Sequence, residues 1–259
     1  MDRLADGVGL AVAVARVTLA ERLRYPAAAL AYYGFVSFVP LLLLVFVAVG
    51  PRLATELSRA TPQFLTPAVR QLVNQSIATG SERTSSGVLA VLVLAWSGAN
   101  FVGDVRTVVE RIEGGIESTV RHWLRDAVVV LGSLGAAILA VGATSIFFAL
   151  PPNNALNQVS AFVGLWVVLS FVFLPLYYVP STVVTSPRAA VPGATIASLG
   201  WTIIHTGIHF YAVNAGSYAV FGVLSGVVVI FTALYLSASV LLVGIVVNAE
   251  AAARSVGSS

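Results

Sequence analysis

The chain has 259 residues, of which 58% are hydrophobic and only 10% charged. A soluble protein carries about 25% charged residues, and a water-exposed domain of this composition would show large apolar patches and aggregate. Cysteine is absent, which excludes disulfides and thiolate metal sites, and the net charge of +3 rests on arginine without one lysine, leaving no dense basic surface for nucleic acid. The composition points to an all-α integral membrane protein.

Residues 1–26 come first. Leu4, Val8, Val12, Ala15, Leu19 and Leu23 recur at helical spacing, with Arg16 and Arg22 elsewhere on the helix. That pattern predicts an amphipathic helix lying at the inner membrane interface. Asp2, Asp6, Arg16 and Glu21 interrupt what would have to be an uncharged core, so this segment does not read as a cleaved signal.

Crossing the hydrocarbon takes about 20 mostly apolar residues in a helix. Six segments meet that length: Ala27–Gly50, Gly87 to about Gly103, Ala127–Leu150, Ala155–Tyr178, Ala189–Val213 and Tyr218–Val247. They form a transmembrane domain over 27–250, followed by a tail at 251–259. The breaks are chemically sensible: "PPNN" at Pro151–Asn154, "VPSTVVTSPR" at Val179–Arg188 and "NAGS" at Asn214–Ser217. An outer loop at 51–86 is the one sizeable extramembrane segment, and it holds a weak amphipathic helix starting near Thr66 and Pro67.

Arginine sets the direction. With the N-terminus inside, the inner segments hold Arg3, Arg16, Arg22, Arg24, Arg106, Arg111, Arg121, Arg125, Arg188 and Arg254. Outside are Arg52, Arg59, Arg70 and Arg83, all in a single loop. The positive-inside rule therefore expects both termini in the cytoplasm of a multi-pass cell-membrane protein.

The first span is polar in its inner half. Tyr33, Ser37 and Pro40 fall at i, i+4 and i+7 and share a stripe, and Pro40 releases a carbonyl near Val36 that needs another partner. Such a stripe suits a bundle interior or a hydrated cavity; interfacial tyrosines beside a kink are the plainer reading. On the second span Trp96 lies deeper than the interfacial belt, so its indole N–H calls for an acceptor inside the bundle. Ser97 and Asn100 follow it.

Ionisable groups gather at the inner ends of the spans: Asp104, Arg106, Glu110, Arg111, Asp126 and Glu250, with Asn248 two residues before the last. One reading is a polar vestibule where Arg106 or Arg111 meets Glu250; the other is charges that set topology and stay in water. His205 and His209 stand four apart on one face of the fifth span and form a candidate proton relay. No third ligand accompanies them, so neither a metal nor a cofactor is expected. Gly222 and Gly226, Gly132 and Ala136, and Gly193 and Ala197 are small-xxx-small pairs suited to close helix contacts, within the chain or between copies. No HExxH, GxSxG, phosphate loop or paired membrane-depth carboxylates mark an enzyme.

Three stretches carry a family resemblance: "AAALAYYGFVSFVPLLLL" (Ala27–Leu44), "AWSGANFVGDVRTVVERI" (Ala95–Ile112) and the closing Ser217–Glu250 with its "VNAE". With "PRAAVPGATIASLGWTI" (Pro187–Ile203) they resemble the YihY/BrkB family of inner-membrane proteins, in order and spacing along nearly the whole chain. Leu234–Tyr235 departs from the tryptophan–tyrosine pair common in that family, and His205 and His209 lie outside its pattern. The resemblance implies six spans with both termini cytoplasmic, and a loose tie to envelope integrity and envelope lipids. It also brings the label ribonuclease BN, which the lack of an acidic or histidine cluster opposes.

The expected function is that of a transporter or flippase-like handler of a lipid or other amphiphile. Candidate binding residues are Tyr33, Ser37, Pro40, Trp96, Ser97, Asn100, Arg106, Arg111, Asn248 and Glu250. Membrane lipids are the expected partners, with a second copy or another membrane protein as a further one. The alternatives are a non-transporting scaffold that recruits a partner through 51–86 or the N-terminal helix, and a small-solute transporter coupled to protons through His205 and His209.

Overall fold

The computed structural model describes residues 2–38, 40–41, 82–115, 119–149, 155–213 and 222–257. Seven helices make up nearly all of them: α1 (Asp2–Ala20), α2 (24–38), α3 (Glu82–Glu113), α4 (Val120–Ala149), α5 (Ala155–Tyr178), α6 (Pro187–Val213) and α7 (Gly222–Gly257). The described residues contain no strand. Stretches of α3, α4, α5 and α7 are long and apolar enough to cross a membrane: Gly87–Glu113, Val120–Thr144, Asn157–Tyr178 and Gly226–Ser255. Large apolar side chains cover their outward faces, among them Leu92, Val128, Leu139 and Phe171, which is the reverse of a water-soluble surface.

Six spans were expected. The outer half of the first and the loop at 51–81 lie outside the described residues. The fifth is α6, continuous over 27 residues, but Pro192, Gly193, Ser198, Gly200, Thr202, His205 and His209 leave it less apolar than the other four. Its composition follows from its position, because α6 packs between α5 and α7.

Local chemistry sets the helix ends. Ser186 caps α6 by accepting the Ala189 N–H on its hydroxyl at 3.3 Å, and Pro187 takes the first helical position, where no N–H is needed. Gly114, at φ +79°, ends α3 in the left-handed conformation, and its N–H still reaches the Glu110 carbonyl at 2.9 Å.

The centre of the bundle is α5–α6–α7, where small residues let backbones approach. Ala190, Ala194 and Ala197 are fully buried, in one core cluster with Leu242 and Val246. A Cβ at Gly193 would collide with the Gly244 carbonyl, and one at Gly200 would collide with Val240. Gly193 thus makes the close contact that its spacing with Ala197 predicts, and Ala197 is buried. Gly132 and Ala136 instead face outward with open space beside them. Polar groups staple the same helices: Trp166 donates to the Thr195 carbonyl (3.0 Å), Trp201 to the Ser237 carbonyl (3.1 Å), Tyr177 to the Leu241 carbonyl (3.0 Å), and Ser170 pairs with Ser198 (2.7 Å).

Around this core, α4 packs on α5, α3 on α4 and α7, and α1 on α7. Helix α2 meets α7 through Phe35 and Phe231, whose rings stand 5.9 Å apart, edge to face. Helix α1 runs alongside the last turns of α7, with Gly9 facing Arg254. Its contact face is Val14 and Val17; Val12 and Leu19 from the predicted stripe are exposed.

Candidate functional site

The predicted polar residues fall into three groups along the charged half of the bundle. The first joins α2 and α3. Ser37 and Ser97 share a hydrogen bond at 2.7 Å, and Ser97 is fully buried. Tyr33 sets its ring edge to face against Trp96 at 5.8 Å, and Asn100 donates to the Trp96 carbonyl at 2.7 Å. Pro40, one turn beyond Ser37, is buried. The stripe of the first span is therefore a helix–helix seam. Trp96 does not point inward as its depth suggested: 53% of it is exposed on the outer face.

The second group is an ion pair. Arg106 of α3 donates to Asp126 of α4 at 2.8 Å, with the two side chains only 11% and 1% exposed. Arg125 adds a bond to the same carboxylate at 3.1 Å and reaches the Val179 carbonyl at 2.8 Å, which draws in the end of α5. An aspartate taken from water into this position needs both cations, since an unpaired buried charge would cost several kcal/mol. The sequence reading has Arg106 or Arg111 meeting Glu250; among the described residues Arg106 bonds to Asp126. Glu250 sits partly buried near the end of α7. Arg111 is exposed, within electrostatic reach of Asp104, whose Oδ2 is buried and has no hydrogen-bond partner among the described residues.

The third group is built on Asn248, which is 2% exposed. Pro192 cannot donate within α6. Asn248 bonds to the backbone on either side of it: its Oδ1 accepts the Gly193 N–H at 2.7 Å, and its Nδ2 donates to the Ala190 carbonyl at 3.2 Å. The Asn-Ala-Glu of the closing motif is thus, at its first residue, a brace between α6 and α7.

Two participants carried no signal when read alone. Glu113 accepts bonds from both the hydroxyl and the N–H of Thr182, from the Val183 N–H and from the Ser181 hydroxyl, tying the 179–186 loop to the end of α3. Tyr177 is buried with its oxygen lodged against Gly244. A carboxylate just before Gly-Gly and a loop rich in hydroxyls were the only hints of the first. His205 and His209 stay partly buried on α6. Among the described residues, no three His, Asp or Glu side chains come close enough to share a metal.

The family described as "Virulence factor BrkB" matches residues 14–259. This chain belongs to the BrkB family. The "Putative ribonuclease-like protein YfkH" of Bacillus subtilis (strain 168) is 24% identical over 245 residues, spanning 86% of this chain and 87% of that protein. The "Inner membrane protein YhjD" of Escherichia coli (strain K12) is 26% identical over 138 residues, spanning 46% of this chain and 40% of that protein. No solved structure matches the chain. Family and apolar helices together make this BrkB protein a multi-pass membrane protein.

Proposed function

We propose that this BrkB protein is a non-catalytic transporter of an anionic amphiphile, spanning the inner membrane six times with both termini in the cytoplasm. The observation that carries the reading is the Arg106–Asp126 pair, nearly buried between two apolar spanning helices. Ionisable residues within spanning segments are rare and tend to mark pathways for charged substrates. In this reading Asp126 occupies the guanidinium at rest and an anionic headgroup exchanges with it, accepting the Arg106 N–H groups in its place. The tails stay in the bilayer. The arginine distribution supports the Arg106 end as the cytoplasmic one, and the name of the relative YhjD, an inner membrane protein, supports the choice of membrane.

The test is lipid movement in proteoliposomes, followed by reduction of a fluorescent phosphatidylglycerol in the outer leaflet. Arg106→Gln alone would strand Asp126, so the informative variant is the neutral pair Arg106→Gln with Asp126→Asn. The expected result is a folded protein that no longer moves the lipid. Wild-type rates in the folded double variant would remove Arg106 from the mechanism.

A further inference from the structure

We propose that a recess between α1, the 21–23 turn and α7 binds the phosphate headgroup of an anionic glycerophospholipid. This site shares no residue with the Arg106–Asp126 pair and does not rest on a transport role. The recess has a volume of about 380 Å³, within the range of a ligand site. Its polar lining comes from three places in the chain: Thr18 at the end of α1, Arg22 and Arg24 around the turn, and Tyr235 and Ser239 in the middle of α7.

Three features point to an anion. Arg22 is held at φ +49°, a left-handed conformation that a residue with a Cβ adopts only at a cost. That turn directs the chain so that two arginines, two residues apart, line one hollow. Neither forms an ion pair with a carboxylate among the described residues; Arg24 makes its recorded contacts with its neighbour Tyr25, by a 2.9 Å hydrogen bond and by stacking over the ring. Each guanidinium has five N–H donors, so capacity for phosphate oxygens is left over. Finally, the Thr18 hydroxyl is buried with no hydrogen-bond partner among the described residues. A buried hydroxyl without a partner is unfavourable, and a phosphate oxygen would satisfy it.

The remaining walls favour a lipid over a free phosphate ester. Leu23 and Val243 line the same hollow, and Leu19 stands 78% exposed at its rim. The arginines immediately precede the apolar run that starts at Ala27, so the basic side of the recess lies where that run begins. Basic pockets between membrane helices suit anionic headgroups.

The full chain in mild detergent, titrated with dioleoyl-phosphatidylglycerol and read by native mass spectrometry, tests this. Phosphatidylglycerol should be retained more tightly than dioleoyl-phosphatidylcholine. Replacing both arginines (Arg22→Gln, Arg24→Gln) should weaken it roughly tenfold or more, the scale of two arginine–phosphate contacts. Arg188→Gln, an exposed arginine at the same end, should change nothing. Ser239→Leu, which fills the hollow and leaves the charges alone, should weaken binding as well and covers the case of a misfolded arginine variant. Equal retention of both lipids overturns the proposal. So does unchanged binding in Ser239→Leu, which would reduce the effect to surface charge. Displacement of the lipid by glycerol 3-phosphate at matching concentration would overturn the lipid assignment in favour of a soluble phosphate ester.

Discussion

The Gly193 N–H and Asn248 Oδ1 lie 2.7 Å apart, one residue after Pro192, which has no N–H to give within α6. Asn248→Ala removes the acceptor and leaves a buried donor unmet, at about 1–3 kcal/mol. Asn248→Asp keeps an acceptor for Gly193 but loses the donor to Ala190 and buries a charge, so it should be no better. Both should lower the thermal midpoint in detergent, as read by scanning fluorimetry. Pro192→Ala, which restores a helical N–H, should make Asn248→Ala less damaging. Equal losses with and without Pro192 would show that the brace does not answer the proline.

The crowded glycines give a second expectation. Gly200→Ala sets a methyl against Val240, and overpacking of this kind costs typically 1–3 kcal/mol. Adding Val240→Ala opens the space. The double variant should recover much of the lost stability, a non-additivity that a double-mutant cycle measures directly.

How far the sequence foretold this arrangement depends on what kind of information each feature needs. Apolar run length is local, so the spanning character of α3, α4, α5 and α7 followed from composition, and the cap at Ser186–Pro187 was written in two adjacent residues. The pairing of charges is not local. Arg106 lies 20 positions from Asp126 and could equally have met Glu250 by any counting of residues; only the way α3 packs on α4 decides it. Trp96 shows the same limit from the other side, since depth along a helix says nothing about which way the residue faces. The role of Asn248 was hidden because the need it meets sits on another helix, 55 residues away.

Glu113 supports a third expectation. Its carboxylate accepts the Thr182 and Val183 N–H groups at 2.8 and 3.3 Å. Glu113→Ala releases the Thr182 amide, which should then exchange its hydrogen faster than in the wild type, while Val183 keeps its bond to the Ser181 hydroxyl at 3.2 Å and the amides of α5 and α6 keep their protection. Glu113→Gln retains one acceptor oxygen and should fall between. Unaltered exchange at Thr182 would show that the loop is held by other contacts.

The serine pair between α2 and α3 offers the cleanest structural check, because the chain has no cysteine to confuse it. Hydrogen bonds between membrane helices average about 0.6 kcal/mol, so Ser37→Ala or Ser97→Ala alone should barely move stability. Geometry is the better readout. With hydroxyl oxygens 2.7 Å apart across the two helices, the two side chains are held near the spacing that a disulfide bridges. Ser37→Cys combined with Ser97→Cys should cross-link under mild oxidation, and reduction should reverse the shift in gel mobility. Moving one partner a half-turn around α3, as Ser37→Cys with Ala99→Cys, should abolish the cross-link. A bond that forms equally well at both positions would mean that α2 has no fixed register against α3, and the seam that buries Ser97 would then have to be redrawn.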